Sequence, residues 1–221
     1  MNPVEPPPSR FLLPDPAAAA PGQELVGVGG DIKPGSMLTG YRAGVFAMEV
    51  APDLLGWFSP DPRGVLVPSD VHVSRSMRRW IRRYRVSIDQ EFAAVVAACA
   101  NPDRSGAWIT QEMERSYQTL HQLGWAHSVE VWDGPQLVGG LFGVESGGLF
   151  AGESMFHRAP NASKLAVIAT ADRLAQAPGP RLFDVQWWTP HLGSLGAVTI
   201  GRADYLAQLA DALDGAPAFL R

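Results

Sequence analysis

His127-Ser-Val-Glu-Val-Trp-Asp-Gly-Pro-Gln-Leu-Val-Gly-Gly-Leu-Phe-Gly-Val144 reads as two strand-like runs, His127–Trp132 and Gln136–Val144. Asp133-Gly134-Pro135 separates them, a turn signal that folds the runs into a hairpin. Leu149–Phe156 supplies a third strand beside it. Upstream, Glu91–Ala100 and Thr110–Leu123 read as helices, and Arg75–Arg83 as another, with Ser74 able to cap it and Met77, Trp80, Ile81 and Tyr84 on one face. Downstream come a helix at Ala162–Ala175, a strand at Leu182–Gln186 and a helix at Tyr205–Leu213, and Val86–Asp89 is strand-like. Helices, then an antiparallel run, then helix and strand predict an α+β fold with a mixed sheet.

Before this region, Leu25-Val-Gly-Val-Gly-Gly-Asp31 reads as a short strand entering a glycine turn, and Pro34 as the first turn of a helix reaching Tyr41 or Arg42. Pro52, Pro60, Pro62 and Pro68 interrupt the next stretch, which places a boundary near residue 60. The expected division is a small N-terminal domain over 1–60 and a larger domain over 61–221. Residues 1–22, rich in Pro and Ala, read as an extended or partly ordered arm.

The chain has 221 residues, 46% hydrophobic and 18% charged, as a packed rather than disordered protein requires. Its single cysteine, Cys99, excludes an internal disulfide, and the start is neither basic nor apolar as a signal peptide would be. No apolar run is long enough to span a bilayer. The expected location is cytoplasmic. A net charge of −4 means that any nucleic-acid site must be a local patch.

One such patch stands out. Arg75, Arg78, Arg79, Arg82, Arg83 and Arg85 lie within one short segment of a chain with 18 basic residues. On a helix they oppose the apolar face, and guanidinium forks fit phosphate oxygens. The alternative is a solvated helix face. In Gly152-Glu-Ser-Met-Phe156 an acid sits among apolar residues and needs a partner: either a ligand's ammonium group or a salt bridge to Lys164 or Arg158. Asp184 and Gln186 alternate on an apolar strand, so both side chains face one side. They could position and deprotonate an amine, or form a buried structural pair. The five histidines are scattered without metal-ligand spacing, and Gly27-x-Gly29-Gly30 lacks a dinucleotide pattern. At the strand–helix junction, Arg158-Ala-Pro-Asn-Ala-Ser163 lacks the glycines that would let a backbone cradle the pyrophosphate of CoA.

In this order the pieces resemble the leucyl/phenylalanyl-tRNA–protein transferase family. Besides the segments above, the matching stretches are Tyr41-Arg-Ala-Gly-Val-Phe46, Trp57-Phe-Ser-Pro-Asp-Pro-Arg63, His72–Met77, Ala107-Trp-Ile-Thr110, Asn161-Ala-Ser-Lys164 and Ser194-Leu-Gly-Ala197. The resemblance implies an acyl-CoA N-acyltransferase-like larger domain. It implies transfer of Leu, Phe or Met from aminoacyl-tRNA to proteins beginning with Arg or Lys, which are then degraded by the N-degron route. It implies no cofactor, since the aminoacyl ester is already activated. By the same resemblance Glu153 holds the aminoacyl α-ammonium, and Asp184 and Gln186 orient and help deprotonate the attacking amine. Met155 and Leu141 line the side-chain pocket with Ser154 close by, Trp108 stands beside it, and the arginine segment takes the tRNA acceptor arm. Where the family has Phe-Pro-Trp, this chain has Phe46-Ala-Met48. An aromatic for the adenosine end is thus missing, with Trp57 the nearest candidate to replace it.

Overall fold

The computed structural model describes residues 2–103 and 108–219; Ala107 of the Ala107–Thr110 stretch lies outside them. The first sheet is small. Strand β1 (Leu25–Val28) leads through Gly29 and Gly30, both at positive φ, to helix α1 (Pro34–Ala43), then to β2 (Phe46–Ala51) and β3 (Leu54–Phe58). These strands form an antiparallel sheet in the order β1-β3-β2.

The next strand, β4 (Arg63–Leu66), belongs to a different sheet. The chain continues through α2 (Met77–Arg83), β5 (Arg85–Ile88), α3 (Phe92–Cys99), α4 (Gln111–Gln122), β6 (Ala126–Asp133), β7 (Gln136–Ser146) and β8 (Leu149–His157). It closes with α5 (Ala162–Gln176), β9 (Leu182–Gln186), the single turn α6 (Pro190–Gly193), β10 (Val198–Ile200) and α7 (Arg202–Leu213). The large sheet has seven strands in the order β10-β4-β9-β8-β7-β6-β5. Every pair is antiparallel except β8 with β9, which the α5 crossover makes parallel. The mixed α/β sheet is therefore as expected. β2, β3, β4, β10 and α6 are additions to the sequence reading, and α7 starts a turn earlier, at Arg202.

Both faces of the large sheet are covered. Alternate residues of each strand point to opposite sides, so Ala126, Phe142, Leu149 and Leu182 join α1, α3, α4 and α7 in one core. Val129, Leu141, Phe150 and Phe183 join α2, α5 and α6 in the other. The first core also takes in Phe46 and Trp57 of the small sheet. The arm is pinned along its length. The amide of Val4 donates to Leu123, the indole of Trp125 donates to Val4, Glu5 pairs with Arg42, and Arg202 reaches the carbonyls of Ala19 and Ala20.

Candidate active site

The parallel pairing of β8 with β9 ends after Ala151 and Asp184. Residues just beyond, Gly152–Met155 on one strand and Val185–Gln186 on the other, line a pocket of about 230 Å3. Its apolar wall is Leu141, Met155, Val167, Phe183, Val185 and Leu192; its polar end is Glu153, Ser154 and Gln186. A bulge aims the acid here. Gly143 pairs with Gly152 and Phe142 with Ser154, so Glu153 is the extra residue, a device that turns a side chain out of the regular alternation. A Cβ on Gly143 would lie 2.4 Å from the carbonyl of Ala151, so only glycine fits opposite the bulge.

Glu153 is 7% exposed and forms no ion pair among the described residues. Neither Lys164 nor Arg158 answers it: Lys164 donates to Ser194, and the Arg158 guanidinium lies over Phe156. Its partners are neutral. Tyr117 of α4 donates to Oε2 at 2.5 Å, and the carboxamide of Gln186 donates to Oε1 at 3.0 Å. Tyr41 of α1 stands behind, its hydroxyl 3.3 Å from that of Tyr117. Burial pushes the Glu153 carboxyl up to about 7, with the Asp184 charge adding to this and the tyrosine hydrogen bonds and Arg63 opposing it. Burial and the charge of Glu153 raise both phenols well above their usual range.

Asp184 belongs to the same network but is 1% exposed and does not line the pocket. Arg63 grips it with both arms of its fork, Nε to Oδ1 at 2.9 Å and Nη2 to Oδ2 at 2.6 Å. Tyr205 donates to Oδ2 at 2.9 Å, and the backbone amide of Gln186 donates to Oδ1 at 2.8 Å. Arg63 is 1% exposed and lies between the rings of Phe46 and Tyr205. Burial disfavours its charge, but Asp184 and Tyr205 more than offset this and hold it above its usual range. Gln186 sits at φ +63, a left-handed conformation that is strained for a non-glycine residue. The hydrogen bond that its backbone N–H donates to Asp184 Oδ1 holds it there.

The structure thus joins Glu153, Ser154, Met155, Leu141 and Gln186 at one pocket and puts Asp184 one layer behind. Trp108 is half-buried against the first core and is not in the pocket lining. Tyr41, Arg63, Tyr117 and Tyr205 were missed in the sequence. Arg63 left only a faint signal, an arginine entering the apolar run Gly64-Val-Leu-Val67.

The arginine helix packs through Met77 and Tyr84 against the α5 side of the sheet, the side that carries Leu141, and Tyr84 donates to the carbonyl of Pro160. Ile81, expected inward, is 41% exposed, because a seven-residue helix has room for only a narrow buried stripe. All six arginines are exposed. Arg83 pairs with Asp133, Arg85 lies over Trp132, and Arg79 over Trp80. Arg75, Arg78 and Arg82 form no ion pair among the described residues.

Residues 65–210 match the family model for leucyl/phenylalanyl-tRNA protein transferase. The chain is 48% identical over 212 residues to the leucyl/phenylalanyl-tRNA–protein transferase of Anaeromyxobacter dehalogenans strain 2CP-C, covering 94% of this chain and 90% of that protein. It is 48% identical over 194 residues to the enzyme of that name from Pseudomonas fluorescens strain SBW25, covering 86% and 85%. With its namesake from Shewanella baltica strain OS155 the identity is 44% over 191 residues, covering 85% and 80%.

Proposed function

Because this chain belongs to the leucyl/phenylalanyl-tRNA–protein transferase family, we propose that it moves Leu or Phe, and also Met, from tRNA to the α-amine of proteins beginning with Arg or Lys. The chain is an aminoacyltransferase, acting between aminoacyl-tRNA and a protein acceptor. The acceptor's basic first residue, the N-degron destination of the product and a cytoplasmic setting belong to the proposal.

The observation that carries the reading is the pocket itself. An apolar cavity of about 230 Å3 that ends in one buried carboxyl group suits an apolar amino acid held by its ammonium group. In this reading Glu153 takes the donor's ammonium, while Leu141, Met155 and Val167 surround its side chain. Ser154 borders the donor, and Gln186, supported by Asp184, orients the attacking amine, whereas Trp108 packs on the first core outside the pocket lining. The exposed arginines of α2, with Arg75 and Arg85 beside them, supply cations for the acceptor arm on the same side of the sheet. The parallel β8–β9 pair joined by α5 within an otherwise antiparallel sheet supports an acyl-CoA N-acyltransferase-like larger domain, with residues 1–60 as a small N-terminal one.

The reaction needs little. An ester is already activated, and an α-amine has a pKa of about 8, so placement supplies much of the rate. Incubation with labelled Leu-tRNA and an Arg-starting peptide should give labelled peptide without ATP or acetyl-CoA. Acetyl transfer from acetyl-CoA with none from charged tRNA would reject the reading.

A further inference from the structure

An ionised carboxylate offers about four acceptor positions. At Asp184 all four are filled by the chain's own donors: Arg63 Nε and the Gln186 amide at Oδ1, Arg63 Nη2 and Tyr205 at Oδ2. The side chain is also sealed from the pocket. It has neither a lone pair nor a path for a substrate proton. Glu153 differs on both counts. It lines the pocket, and its donors are the hydroxyls of Tyr117 and Tyr41 and the carboxamide of Gln186, which still leaves one of about four acceptor positions free. The donor's α-amino group is one carbon away from the ester carbonyl under attack, so a carboxylate that holds this group lies beside the reacting carbon.

We propose that Glu153 is the catalytic residue that takes the proton from the attacking amine, and that Asp184, clamped by Arg63, is a positioning residue that acts through Gln186. The inference rests on the transferase reading above. As the acceptor nitrogen bonds to the ester carbonyl carbon, the bond from that carbon to the ribose oxygen breaks. The proton lost by nitrogen passes to the Glu153 carboxylate and then to the departing ribose oxygen, so nothing else is consumed. A carboxyl whose proton affinity lies close to working pH is suited to both halves of that relay. Asp184 fixes the strained turn at Gln186, and Gln186 in turn holds Glu153 Oε1.

The test compares kcat/KM for the aminoacyl-tRNA against pH in wild type, Glu153→Gln, Asp184→Asn and Arg63→Lys. Wild type should show a limb rising through about pH 7. Glu153→Gln should lose that limb and fall at least ~100-fold in kcat. Asp184→Asn and Arg63→Lys should lower kcat yet keep the limb in place. Carbon-13 NMR of labelled carboxyl groups gives a readout without turnover: the buried carboxyl that titrates near pH 7 should vanish in Glu153→Gln and persist in Asp184→Asn. If Glu153→Gln does not fold by circular dichroism, Glu153→Asp replaces it and should displace the limb. A limb kept in the Glu153 variant and lost in Asp184→Asn overturns the proposal. Wild type that transfers nothing from charged tRNA overturns the transferase reading instead.

Discussion

A buried acid held only by neutral donors keeps its proton longer when folded than when unfolded, and this ties stability to the site. For Glu153 the carboxyl moves from 4.5 to about 7 on folding. Between those values the folded state binds the extra proton, so the contribution is fully present below about 4.5 and lost as pH rises through about 7. At pH 8 the ionised, buried side chain costs on the order of 3 kcal/mol relative to acid conditions. Glu153→Gln is therefore expected to be more stable than wild type at pH 8, with the gap closing toward pH 5, as urea denaturation at the two pH values would show. A gap independent of pH would mean that the carboxyl does not titrate in that window. The same scale bears on Met48, where the resemblance implies an aromatic and Trp57 was the candidate to replace it. Trp57 is 2% exposed and donates its indole N–H to Gly29, and the close approach of Gly40 fills the space beside its ring. It is a core residue of the small sheet and is not free to replace the lost side chain.

At the scale of elements, α2 separates two kinds of arginine. Arg83 is engaged by Asp133, whereas Arg78 and Arg82 project without ion pairs among the described residues. If the helix meets the tRNA backbone, Arg78→Gln with Arg82→Gln should weaken tRNA binding and flatten its dependence on log salt by roughly 0.7–0.9 for each phosphate no longer neutralised. Arg83→Gln alone should change the slope less, since Asp133 already neutralises part of its charge. Fluorescence titrations at several salt concentrations measure the slope. An unchanged slope in the double variant would leave the arginines as a solvated face.

Over the whole molecule, the two ends of the chain close the two sides of the sheet. The arm lies against α1 and α4, and the C-terminal segment seals the opposite core. There the amides of Ala218 and Phe219 donate to the buried Glu145 carboxylate, and Arg173 donates to the carbonyl of Ala218. Phe219, 1% exposed, packs on His127 and Phe150. Phe219→Ala removes a large core side chain that does not line the pocket and should cost about 3–5 kcal/mol. At ~2–4 °C per kcal/mol for a chain of this size, calorimetry should find Tm lowered by at least about 6 °C. A smaller drop would mean that the segment only rests on the core.

Local pattern determined much of this architecture. Strand-like runs around Asp133-Gly134-Pro135 marked the central hairpin, apolar helical runs marked α3, α4 and α5, with α4 placed to within a residue at each end, and Pro34 marked the start of α1. Glu153, Asp184 and Gln186 stood out because polar residues in apolar strands need partners. Who those partners are was not legible. Arg63 reaches Asp184 across 121 residues and Tyr117 reaches Glu153 across 36, and no local spacing encodes such a pairing. The short strands β2, β3, β4 and β10 were hidden for a related reason: they are only three to six residues long, and pairing with partner strands, more than intrinsic propensity, holds them extended. The tertiary structure likewise decided which acid is spent on a cation and which is left facing the pocket, because burial and lone-pair occupancy depend on all the neighbours at once.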